Sequence, residues 1–102
     1  MVSLIFRMKI KDGKETEAVK QLEKMAEAVE ANEPGVLAYV LHRSQDDPMQ
    51  VVLFESYVDD DAFQAHMKTP HMAAFQASIA EVFDTSEIQV TRLDRIAGVV
   101  RG

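Results

Sequence analysis

MQVVLFESYVDDDAFQAHMKTPHM, residues 49–72, holds the change of periodicity on which the fold turns. Met49 to Val58 reads as a strand whose run Val51-Val52-Leu53-Phe54 is apolar on both sides of the pleat. Asp59-Asp60-Asp61 then suits a helix start, where carboxylates cap free amides and meet the positive end of the dipole. That capping role, rather than metal binding, is the reading taken for this acidic run. The helix runs to about Lys68. Thr69-Pro70 restarts it, with Thr69 as N-cap and Pro70 at the first helical position. Met72, Phe75, Ile79, Val82 and Phe83 form the apolar stripe of the second segment.

Upstream, Val36 to Arg43 reads as a strand, joined to the one at Met49 by the polar turn Ser44 to Pro48. Asn32-Glu33-Pro34-Gly35 stops a long helix from Lys14 to about Asn32, whose stripe is Ala18, Leu22, Met25, Ala26 and Val29. Residues 2–10 alternate as a first strand, and Asp12-Gly13 makes the turn after it. Downstream, Ser86 to about Leu93 reads as a fourth strand. The apolar tail Ile96 to Val100 is a candidate fifth. The order is βαββαβ, an α+β chain of ferredoxin-like topology with an antiparallel sheet and helices on one face. One domain is expected over residues 1–102.

In that topology the first and third strands are central. Two helices cover one sheet face only, yet the strands offer apolar residues to both: Val51 and Leu53 against Val52 and Phe54, and Leu37, Tyr39 and Leu41 against Val36, Ala38 and Val40. An uncovered apolar face of roughly 400 Å² is rare on a monomer, so a homodimer is expected through it. The alternative is that the tail folds back over this face.

The charge balance is 11 Lys+Arg against 17 Asp+Glu, without a basic run, which excludes nucleic acid as an expected partner. There is no cysteine, hence no disulfide, thiolate nucleophile or thiolate metal site. Val2 to Phe6 is too short an apolar run for a signal segment or a membrane span, so no membrane is expected and the expected location is the cytoplasm. No phosphate-binding glycine loop, Ser/His/Asp spacing or dinucleotide fingerprint occurs, and no cofactor is expected.

The histidines are His42, His66 and His71. His66 and His71 flank the Thr69-Pro70 break, which can aim both rings into one space. Either could take a proton from a phenol or an activated carbon. Tyr57, at the end of the third strand, could orient a substrate oxygen, and Glu55 points to the same side. The plain alternative is that these histidines only cap a helix or edge the core. Two histidines and a carboxylate can also hold non-haem iron, with Glu55 as the third ligand, but five residues across a proline turn is not a metal signature. His42 is treated as a sheet-edge residue. Met8, Met25 and Met72 are gap-fillers.

The stretch from Phe54 to Met72 resembles the antibiotic biosynthesis monooxygenase family. It carries that family's Glu-x-aromatic strand end, acidic turn, Ala-x-x-x-His helix and Thr-Pro-His restart, and Glu33-Pro-Gly-Val-Leu-Ala-Tyr39 is similar to its approach to the second strand. The resemblance implies a ferredoxin-like dimer whose stacked sheets form a barrel. Members include oxygenases of quinols and polyketide phenols that use no metal, flavin or haem, haem degraders, and relatives of an isomerase that processes the autoinducer-2 signal. This chain has no Trp, its one Asn is Asn32, and Gln76 stands near the expected haem-ligating position, so haem degradation does not fit. The missing Trp also departs from the polyketide oxygenases. His66 and His71 match the quinol-oxygenase and isomerase branches. The expectation is a cofactor-independent oxygenase of a small quinol or dihydroxy-aromatic, with catalytic His66, His71 and Tyr57, and oxygen as co-substrate. The alternatives are a proton-transfer isomerase of a small phosphorylated or hydroxylated metabolite, or a non-catalytic ligand-binding dimer.

Overall fold

The computed structural model describes residues 1–101. The elements are β1 (Val2–Ile10), α1 (Glu15–Asn32), β2 (Val36–Arg43), β3 (Gln50–Tyr57), α2 (Asp60–Met67), α3 (Pro70–Val82) and β4 (Phe83–Leu93). The four strands form one antiparallel sheet in the order β2-β3-β1-β4, the ferredoxin-like arrangement with β1 and β3 central.

Register sorts the side chains. Phe6 lies opposite Leu53, and Met8 opposite Val51. With Ile10, Ala18, Leu22, Val82 and Phe83 these build the core between sheet and helices. Ile5 lies opposite Phe54 and Arg7 opposite Val52 on the other face, joined there by Val40 and His42. None of α1, α2 and α3 covers that side. Val52 and Phe54 remain part-exposed, while Val51 and Leu53 are buried.

The helix ends follow their local chemistry. The Asp59 side chain accepts from the Ala62 amide at 2.8 Å, and Thr69 Oγ1 accepts from the Met72 amide at 3.2 Å, with Pro70 in the first turn of α3. Two expectations are corrected. β4 begins at Phe83, not Ser86: Phe83 is in phase with the α3 stripe, but its backbone is extended and pairs with Ile10. The tail forms no fifth strand and does not fold over the open face, since Ile96 is 98% exposed and Val99 and Val100 are nearly as open. Apolar composition alone supplies no ladder partner for its backbone. Among the described residues, no helix is long and apolar enough to cross a membrane.

Candidate functional site

Glu33, the residue just past α1, holds the two histidines together. Its Oε1 and Oε2 lie 2.9 and 3.1 Å from His66 Nδ1, and its Oε2 lies 2.6 Å from His71 Nε2. A carboxylate oxygen only accepts, so both ring nitrogens direct their hydrogens at Glu33. That leaves Nε2 of His66 and Nδ1 of His71 as the free nitrogens.

Close backbone contact brings these residues together. Val58 donates its amide to the Gly35 carbonyl at 2.9 Å, tying the Glu33-Pro34-Gly35 turn to the end of β3. A Cβ on Gly35 would stand 2.8 Å from Ala62 Cβ, so only glycine lets this turn lie against α2, the helix that carries His66. His71 comes from the first turn of α3 across the Thr69-Pro70 break. The two rings are 6.4 Å apart.

Aromatic rings fix the plane of His66, which is 1% exposed. Tyr39 and Tyr57 pack against it with centroids at 5.7 and 5.6 Å. Tyr57 is fully buried and donates its hydroxyl to Glu55 Oε1 at 2.6 Å. Burial pushes the Glu55 carboxyl above its ordinary value, against the lowering effects of the Tyr57 hydroxyl and of His66. Burial, and then the neighbouring Glu55, drive the Tyr57 phenol far upward. Tyr39 is raised by burial and by Glu55 and Glu33. Both phenols therefore stay protonated and do not serve as bases.

Two grooves touch the cluster. One, about 300 Å³, runs between α1 and α3, lined by Met25, Ala28, Ala74 and Phe75 with the His71 side chain, 17% exposed, on its wall. The other, about 350 Å³, lies where α1 gives way to β2 and is lined by Glu33 and Tyr39. Both volumes suit a small ligand.

His66, His71 and Tyr57 thus belong to one cluster, but only His71 lines the α1–α3 groove. Glu55, considered as the third member of a metal triad, partners Tyr57 instead, and Glu33 takes its place beside both histidines. Sequence reading assigned Glu33 to a helix stop and Tyr39 to a strand face. Neither was singled out for chemistry, although the Glu33-to-Tyr39 stretch that holds both is part of the family resemblance. His42 lies on the edge strand with Nδ1 at 3.1 Å from the Val52 carbonyl, remote in register from the cluster.

The family profile of the antibiotic biosynthesis monooxygenases matches residues 1–78, a span that includes Glu33, His66 and His71. The chain belongs to the antibiotic biosynthesis monooxygenase family. No curated protein matches it significantly. Among solved structures, Rv0793 from Mycobacterium tuberculosis is 26% identical, with a TM-score of 0.85 over 97% of this chain and 98% of that one. A Caulobacter crescentus CB15 protein described as belonging to the same family is 27% identical, with a TM-score of 0.86 over 94% and 90% of the two chains. PA3566 from Pseudomonas aeruginosa, 24% identical, shares the fold with a TM-score of 0.83 over 94% of each chain. This antibiotic biosynthesis monooxygenase fold, with the Glu33 clamp beside the α1–α3 groove, frames the functional reading.

Proposed function

We propose that this chain is a homodimeric monooxygenase of a small quinol or dihydroxy-aromatic substrate that needs no cofactor. The observation that carries the reading is the Glu33 carboxylate held between His66 and His71, with His71 on the wall of the α1–α3 groove. In that geometry His71 Nδ1 accepts a proton from a substrate hydroxyl, and Glu33 steadies the resulting imidazolium through Nε2, the carboxylate-behind-histidine logic of many general bases. The deprotonated quinol is electron-rich enough to reduce oxygen itself. One oxygen atom enters the ring, the other leaves as water, and the quinol leaves as a hydroxyquinone. His66 and Tyr57 act behind His71, Tyr57 by holding Glu55.

Dimerisation is supported by surface area. The chain exposes 6737 Å², against about 5,800 Å² expected of a compact monomer of 11.4 kDa. Leu37, Val40, Leu93 and the tail are among its exposed apolar residues.

The isomerase reading draws on Lys24, which also lines the groove and could meet a phosphate. Oxygen uptake with a panel of hydroquinones, using chelator-treated protein, separates the two. A positioned base contributes roughly a hundredfold to ten-thousandfold in rate. The His66→Ala, His71→Ala double variant should lose uptake on that scale while keeping its mass in sedimentation. Uptake only after iron is restored would reject the cofactor-free reading. No uptake, but turnover of a hydroxyketone phosphate under argon, would establish the isomerase.

A further inference from the structure

We propose that Glu33, His66 and His71 also form a binding site for a divalent transition-metal ion of the zinc class, and that occupancy switches the base off. One donor atom from each residue, two imidazole nitrogens and a carboxylate oxygen, lies within 4.8 Å of the others. Two nitrogens and one oxygen form a donor set that selects borderline ions such as Zn²⁺ and Co²⁺ over Ca²⁺ or Mg²⁺. An ion about 2.0–2.2 Å from each donor sets neighbouring donors roughly 3.3–3.6 Å apart. Here Glu33 lies 2.9 Å from His66 and 2.6 Å from His71, so an ion fits after side-chain shifts below about an ångström.

The surroundings favour the same ligand. The Glu33 side chain is 8% exposed and His66 1%, so the carboxylate meets the ion largely free of competing water. Tyr39 and Tyr57 hold the His66 ring plane, the kind of outer support that orients metal ligands. His71 opens the way in from the α1–α3 groove and leaves a coordination position for water.

Binding changes the proton positions without net loss. Each imidazole moves its hydrogen from the nitrogen facing Glu33 to its other nitrogen and ligates as a neutral ring. For His71 this protonates Nδ1, the nitrogen that would otherwise accept the substrate proton. That consequence rests on the oxygenase reading, whereas the binding itself does not.

Chelator-treated full-length protein is titrated with Co²⁺ and followed by its visible ligand-field absorption. The expected result is saturation at one ion per chain, displacement by Zn²⁺, and at least about tenfold weaker binding in His71→Ala and Glu33→Gln, with His42→Ala unchanged. Circular dichroism confirms that each variant is folded, and His71, the most exposed ligand, is the safest to truncate. No absorption above that of buffer, or equal affinity in wild type and His71→Ala, overturns the site. Zn²⁺ added to an active wild type should abolish quinol-dependent oxygen uptake, and uptake undiminished at saturating Zn²⁺ overturns the switch. Co²⁺ binding without uptake under any condition leaves the site standing and removes the oxygenase reading alone.

Discussion

The two faces of β3 carry nearly equal apolar content to different ends. Toward the helices stand Val51, Leu53, Glu55 and Tyr57, all buried, so that the strand passes from core to polar cluster within one face. Toward the open side stand Val52 and Phe54, part-exposed against Ile5 and Val40. Hydrophobicity therefore does not distinguish the faces. The difference lies in what the helices cover and in where they diverge, at the Thr69-Pro70 break, to admit Glu33, His66 and His71.

Charge placed on either face should separate the two roles most sharply. Leu53→Asp buries an uncompensated carboxylate and should cost about 3–5 kcal/mol, enough to lose the cooperative thermal transition of so small a chain. Phe54→Asp should instead leave the circular dichroism spectrum native while halving the mass in sedimentation. A native, dimeric Phe54→Asp protein would show that the open face is not shared.

Gly35→Ala should have the next largest effect. The added methyl meets Ala62 Cβ at 2.8 Å, so α2 and the Glu33-Gly35 turn must part. Such overpacking costs about 1–3 kcal/mol, visible as a lowered midpoint in urea. The shift also separates His66 from Glu33, so activity should fall more than that of a surface variant of equal stability.

Glu55→Gln should have a smaller effect whose sign depends on pH. A buried carboxyl raised above its ordinary 4.5 takes up a proton on folding, so it costs stability as pH rises through its raised value, and the cost is complete above it. Glutamine cannot ionise, and its oxygen still accepts from Tyr57. The variant should therefore melt close to wild type near pH 4 and a few degrees above it at pH 8. A variant less stable than wild type at pH 8 would show that the Glu55 charge is favourably paired.

The fold was legible because each element carries a local signal. Period two marked β1, capping chemistry marked α2 and α3, and two-sided apolarity placed β3 in the centre. The failures lie where local pattern and long-range pairing part. Phe83 continues a helical stripe but is taken by Ile10 on β1, and Ile96 to Val100 is apolar without a neighbouring strand. In the site, His66 and His71 were readable from the proline break between them. Glu33 was not, because its contacts to them span 33 and 38 residues, and Glu55 stood nearer in sequence to His66. Burial of the Tyr57 hydroxyl against Glu55 is likewise a tertiary fact that no spacing conveys.

One carboxylate ordering two imidazoles is the centre of this reading, and long-range ¹H–¹⁵N spectra of the histidine rings, recorded on metal-free protein at neutral pH, test it most directly. The expected spectrum shows the hydrogen on Nδ1 in His66 and on Nε2 in His71, each lost from that position in Glu33→Ala, while His42 is unchanged between the two proteins. Rings that average freely between tautomers in the wild type, or assignments unaffected by removal of the Glu33 carboxylate, would contradict it.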